Sequence, residues 1–199
     1  MKKKIIITGG LGYIGSELCK IYSGVSWLHK IVVLDNRFIS ERVNQLRNWN
    51  IEFIHGNILD KILVEKLFKD ADIVHHLAGI TDVPRVKSDT SEIQDKKIHE
   101  VGEKGTQNIL DAINNKCKII FPSTHVVYEG IKDVKIDIQE EEQTKPVLSY
   151  SVSKDINEKQ LKNSGKKYVI LRLGSVYGYS SGTMRVDIMP NLFSKIASQ

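Results

Sequence analysis

Tyr150 and Lys154 stand four residues apart in a helical pattern, so their side chains share one face. A phenol ionises near pH ~10 in water. An ammonium one helical turn away, together with the cationic ring of a bound nicotinamide, favours the phenolate and is expected to lower that value. Such a pair can exchange a proton with a substrate hydroxyl. Standing alone, it also fits a surface Tyr and Lys on an amphipathic helix. A second chemical feature lies at the start of the chain, where Lys3-Lys4-Ile5-Ile6-Ile7-Thr8 runs into Gly9, Gly12 and Gly15 and a helical pattern follows. A buried strand that turns tightly into a helix presents N–H groups and a positive dipole end to phosphates. Gly9 permits the turn, Gly12 lets the backbone approach a pyrophosphate, and Gly15 lets the helix pack closely on the strand. The plain alternative is an ordinary strand-to-helix turn. Asp35 falls twenty positions after Gly15, at the end of the next apolar run. A carboxylate there accepts hydrogen bonds from both adenosine ribose hydroxyls and repels a 2′-phosphate, which favours NAD over NADP. Arg37 offsets part of that repulsion, and a bare strand-end turn at Asp35-Asn36 is the structural alternative.

These residues need a scaffold, and the pattern predicts one. Short apolar runs at Ile31–Leu34, Ile51–His55, Ile73–Gly79, Lys116–Phe121 and Tyr168–Leu173 follow the first strand. Helical patterns lie between them at Tyr13–Ser23, Lys61–Lys69, Glu92–Asn114 and Tyr150–Asn163. Strand–helix alternation predicts an α/β fold: a doubly wound, Rossmann-type parallel sheet with helices on both faces. Thr81–Ser91, with Pro84, and the acid-rich stretch Ile131–Pro146 read as loops. His75 and His76 invite a metal reading, but adjacent strand residues point to opposite faces. They are expected to pack and hydrogen-bond, and no metal is expected.

The chain has 199 residues, of which 41% are hydrophobic and 27% charged, as in a folded soluble protein. Its net charge of +5 is spread along helices and forms no aromatic-studded stripe, which argues against nucleic acid. Cys19 and Cys117 have no disulfide or metal spacing and are expected to be free thiols. No stretch is long enough to cross a bilayer, and the three-residue apolar run behind Met1-Lys2-Lys3-Lys4 is no signal peptide. A cytoplasmic location, away from membranes, is expected.

The ordered motifs resemble the extended short-chain dehydrogenases, and within them the NAD-dependent epimerase/dehydratase family. Thr8-Gly9-Gly10-Leu11-Gly12-Tyr13-Ile14-Gly15, Leu34-Asp35-Asn36, His76-Leu77-Ala78-Gly79-Ile80-Thr81, Tyr150-Ser151-Val152-Ser153-Lys154 and Leu171-Arg172 through Val176-Tyr177-Gly178 carry the likeness. The resemblance implies an NAD site at Gly9, Gly12, Tyr13, Ile14, Gly15, Asp35, Asn36, Asn57, Ile58, Leu77, Ala78, Gly79, Thr81, Tyr150 and Lys154. It implies Tyr150 as the base, Lys154 on the nicotinamide ribose and Thr124, four residues before Tyr128, as the assisting catalytic hydroxyl. Ser123, Thr124 and Tyr150 would touch a nucleotide-sugar substrate. Epimerisation through a transient ketone is the leading expectation. A dehydrogenase, a dehydratase or a non-catalytic dinucleotide-binding protein are the alternatives.

Several positions depart from the family pattern. His125 and Val126 occupy the places where dehydrating relatives commonly carry Asp-Glu, and a valine moves no proton. Asn57 replaces an adenine-binding aspartate, though its amide oxygen can accept the same bond. Gly102, Glu129 and Ser175 replace asparagine, glycine and asparagine respectively. Members usually continue well past the point where this sequence ends. The expected division is therefore 1–175 as the NAD-binding domain and 176–199 as the start of a substrate-binding lobe cut short. In relatives the long helix and the Tyr150 helix pair in a homodimer, so a dimer is expected.

Overall fold

The computed structural model describes residues 2–81 and 91–199. Most of the predicted Thr81–Ser91 loop, including Pro84, lies outside the described residues. The six strands are β1 (Lys4–Thr8), β2 (Lys30–Asp35), β3 (Glu52–His55), β4 (Ile73–His76), β5 (Lys118–Thr124) and β6 (Lys167–Leu173). They form one parallel sheet in the order β3-β2-β1-β4-β5-β6. The order reverses between β1 and β4, and in such sheets the crevice beyond the carboxyl strand ends at that switch point is where ligands bind.

The helices are α1 (Tyr13–Ser23), α2 (Ser40–Asn48), α3 (Lys61–Phe68), α4 (Glu92–His99), α5 (Gly105–Ala112), α6 (Ser149–Asn163) and α7 (Met189–Ala197). Strand alternation feeds two cores. Ile5, Ile7, Ile31 and Val33 face α1 and α2, where Cys19, Val43 and Leu46 are buried. Ile6, Val32, Val74 and Ile119 face the other way, onto Phe68, Ile109 and Leu161 of α3, α5 and α6. Apolar residues on both faces of the central strands are what a doubly covered parallel sheet requires. Among the described residues no helix is long and apolar enough to cross a membrane, and Cys19 and Cys117 are both free and buried.

Helices α2 and α7 lie outside the expected helical patterns, and two expected elements differ most in form or extent. The predicted Glu92–Asn114 helix is interrupted by a π-helical turn over Glu100–Lys104. A Cβ on Gly102 would come within 2.3 Å of Ser153 Oγ on α6, so the two helices meet here more closely than a side chain allows. The turn's carbonyls find partners on α6: Asn157 Nδ2 donates to Gly102 O and Gln160 Nε2 to Glu103 O, both at 3.1 Å. The fifth strand, expected to stop at Phe121, continues through Pro122 to Thr124. Proline is tolerated because pairing with β4 has already ended at Ile120, leaving only β6 alongside.

Candidate active site

The glycine turn is built as its spacing predicts. Gly9 has φ +68°, and a Cβ there would sit 2.9 Å from Ala78 N. A Cβ on Gly15 would lie 2.3 Å from Gly9 O, so Gly15 is what lets α1 begin against the turn. Gly12 is the N-cap of α1, with no side-chain cap and no acidic residue in the first turn. The helix start is thus left open to an anion. Ile14, beside it, is 37% exposed. Tyr13 instead reaches across to the C-terminal segment: its hydroxyl donates to Gly178 O and accepts from Asn191 Nδ2.

Asp35 closes β2 and is only 4% exposed. Its carboxylate accepts from Leu11 N and from Arg37 N, each at 2.9 Å, and Arg37 Nε lies 3.3 Å away. Arg37 Nη2 lies 3.5 Å from the other oxygen, so each oxygen meets two donors and ribose hydroxyls would take the places the Arg37 guanidinium holds. Asn36 is exposed, and its carbonyl is 3.1 Å from His55 Nε2. Asn57 is also exposed, but its Oδ1 accepts from Leu59 N at 3.0 Å in a local turn, so the expected bond to adenine would share that oxygen. The Ile58 side chain belongs to the core and its carbonyl accepts from Asn108, which leaves its N–H as the group to offer a base.

At the end of β4, Leu77 and Ala78 continue against the turn, and Ala78 N donates to Thr8 Oγ1 at 3.0 Å. Among the described residues nothing lies within 4 Å of a Cβ placed on Gly79. Thr81 is exposed and accepts from Arg185 Nη1. His75 and His76 pack and hydrogen-bond as expected. Tyr22 Oη is 2.8 Å from His75, and His76 lies between Thr8 at 3.0 Å and Thr106 at 2.9 Å. Burial pulls the His76 imidazole down to about 3, with Lys154 adding to the effect.

Tyr150 opens α6 and Lys154 follows one turn later, with its Nζ 5.8 Å from the Tyr150 ring centroid. That ammonium donates to Pro122 O at 2.8 Å and lies over the Phe121 ring. Thr124, at the end of β5, is buried, its hydroxyl oxygen accepts from Val126 N at 3.3 Å, and it acts on the ionisation of the Tyr150 phenol. The predicted lowering of the phenol is not what the protein alone provides. Burial raises the Tyr150 pKa above its ordinary value, with hydrogen bonding to Thr124 and the charge of Arg185 pulling the other way. Burial also brings Lys154 down to about 8. The ammonium is held on a carbonyl and an aromatic face.

Ser123 is placed differently from the expected substrate contact. Its Oγ donates to Glu158 Oε1 at 2.6 Å, and Glu158 is 1% exposed in a two-pronged pair with Arg172. Sequence reasoning missed Arg185, which comes from a segment without periodicity. It also missed Arg42, which donates to Leu11 O in the glycine turn and to Gly182 O.

The fold and the site together define a class: a Rossmann-type dinucleotide-binding protein with a Thr/Tyr-x-x-x-Lys constellation at the crevice. The profile of the NAD dependent epimerase/dehydratase family matches residues 5–199, and the chain belongs to that family. A dTDP-D-glucose 4,6-dehydratase of Dictyostelium discoideum is 34% identical, over 88% of this chain and 44% of that protein. A putative UDP-glucose 4-epimerase of Methanocaldococcus jannaschii is 31% identical, over 87% of this chain and 56% of its own length. The chain thus spans about half the length of these relatives. A UDP-glucuronic acid 4-epimerase of Bacillus cereus, solved with NAD and a fluorinated UDP-glucuronic acid, superposes with a TM-score of 0.79 at 28% identity. That match covers 98% of this chain and 63% of the other.

Proposed function

We propose that this chain is the cofactor-binding and catalytic part of an NAD-dependent nucleotide-sugar epimerase. The observation that carries the reading is the meeting of Thr124, Tyr150 and Lys154 at the carboxyl end of β5, beside the switch point between β1 and β4. The residues fit NAD: the crowded glycines and uncapped α1 suit a pyrophosphate, and Asp35 suits ribose hydroxyls. When bound, NAD would accept and return a hydride and bring a positive ring near the phenol. Tyr150 would take the proton of a sugar hydroxyl on its phenolic oxygen, in a site whose burial otherwise keeps that phenol protonated. Thr124 would hydrogen-bond the same sugar oxygen as it passes between hydroxyl and ketone. Lys154, anchored on Pro122 O, would fix the ribose hydroxyls of the nicotinamide end. Residues 1–175 would form the NAD-binding domain, and 176–199 the first part of the sugar-nucleotide lobe.

A dehydratase is the second reading, favoured by the Dictyostelium relative. Against it stand His125 and Val126 after Thr124. His125 Nδ1 is engaged with Leu173 O at 3.1 Å, and valine has no proton to move. A panel of UDP-, dTDP- and CDP-sugars, with products identified by mass spectrometry, separates the two: epimers keep the substrate mass and dehydration loses water. Tyr150→Phe should remove turnover by at least about a thousandfold while NAD stays bound. Full activity in that variant would overturn the assignment. NAD binding by the unaltered chain without conversion of any sugar would leave a dinucleotide-binding module.

A further inference from the structure

The helix that carries Tyr150 has no cap of its own: Leu148 occupies the N-cap position and supplies no side-chain acceptor. An uncapped first turn leaves backbone N–H groups without partners and frays. Here the N-cap amide and the amide before it are held instead, by a side chain of another element. Glu129, just past the His125–Tyr128 turn that follows β5, places Oε1 2.8 Å from Val147 N and 2.7 Å from Leu148 N. The hydroxyl of Ser151, fully buried in the first turn of α6, donates to the same oxygen. One carboxylate oxygen therefore collects three donors on both sides of Ser149 and Tyr150. The donation also favours the ionised form: backbone N–H groups and Ser151 hold the Glu129 carboxyl below its usual range despite the cost of burial.

The arrangement ties together the two segments that must meet for chemistry. Thr124 closes β5 five residues before Glu129, and Tyr150 is the second residue of α6. We infer that Glu129 is a positioning residue, clamping the start of α6 to the end of β5 so that the Tyr150 phenol stays on the Thr124 hydroxyl. Glu129 touches neither group, and the inference rests on the catalytic reading above only for the consequence, not for the clamp.

The test compares the full chain with E129A, E129Q and E129D by amide hydrogen exchange, NAD titration and sugar turnover. E129A should speed exchange at the amides of Val147 and Leu148 by roughly two- to thirtyfold, the range expected for a lost cap, while amides of β1 and β4 keep their wild-type rates. E129Q, whose amide oxygen can accept all three bonds, should restore most of that protection. NAD should still bind every variant, because the glycine turn and Asp35 lie elsewhere and only the Lys154 end of the site is touched. Turnover in E129A should fall in kcat more than in KM and recover in E129Q. If E129A fails to fold, E129D, one methylene shorter, should show the same local exchange at smaller amplitude. Unchanged exchange at Val147 and Leu148 in E129A, or in E129D if only that variant folds, overturns the clamp. So does acceleration spread evenly over the sheet. Failure of the epimerase reading is seen separately, in a wild-type chain that converts no sugar or a Tyr150→Phe variant that still does; the exchange data decide the clamp in either case.

Discussion

At the scale of single residues, the site shows how environment revises what spacing suggests. Tyr150 and Lys154 were legible because an i,i+4 pair needs only a helix to share a face. Their ionisation was not legible, because desolvation depends on what covers them, and that includes Phe121, Pro122 and Arg185 from distant stretches of chain. Lys154 yields a prediction with two opposed arms. Burial holds its folded value at about 8, below the ordinary 10.5. Below pH 8 the ammonium is charged in folded and unfolded chains alike, and its burial costs stability. Between 8 and 10.5 the unfolded chain binds more protons, so this group's contribution to stability rises with pH. Activity that needs the cation should fall over the same interval. A pH–rate profile should show the descending limb near 8. Denaturant melts across that range should lose the Lys154 share of their upward slope in Lys154→Met. A flat profile through pH 9 would refute the assignment.

At the scale of elements, the order of strands and most helices followed from alternation and from glycine, while three features did not. The π-helical turn at Glu100–Lys104 exists because α6 approaches Gly102, a tertiary fact invisible in the local pattern. Strand β5 outran its apolar run because pairing with β6 carries it past Pro122. Helix α2 buries only Val43 and Leu46, too few to announce a helix. Between elements, His76 joins β4 to Thr8 of β1 and Thr106 of α5, all three fully or nearly fully buried. Its imidazole stays neutral in the fold until about pH 3, against an ordinary 6.5. The unfolded chain takes up that proton first, so stability should drop as pH falls from 6.5 towards 3. Buried carboxylates such as Glu158 slope the same way, and the comparison that isolates the imidazole is His76→Gln. The variant should start less stable at neutral pH yet lose less on acidification, measured by urea midpoints at pH 7 and 4.5. An equal loss in both proteins would mean the ring titrates normally.

At the scale of the whole molecule, the segment after β6 is drawn back over the start of the chain. Tyr13 holds Gly178 and Asn191, Arg42 holds Gly182, Ser180 donates to Glu17 at 2.5 Å, and Arg185 reaches Thr81. These contacts come from α1, α2 and the end of β4, the elements that frame the proposed dinucleotide crevice. None was readable in sequence, since each joins residues more than a hundred positions apart. They are few and mostly near the surface, so this segment should open locally at far lower cost than the sheet unfolds. Tyr13→Phe removes one donor and one acceptor at its anchor while leaving the ring's packing. Limited trypsin digestion should then cut at Arg185 several-fold faster, since each lost hydrogen bond is worth about 1 kcal/mol or roughly fivefold in the opening equilibrium. The midpoint of thermal unfolding should shift by no more than about 4–8 °C, because the two cores are untouched. NAD should slow the cut in both proteins if the crevice and the segment are coupled, for a ligand that binds only the closed form stabilises it by mass action. Identical digestion rates with and without NAD, under conditions where NAD is bound, would show that the segment closes independently of the cofactor site.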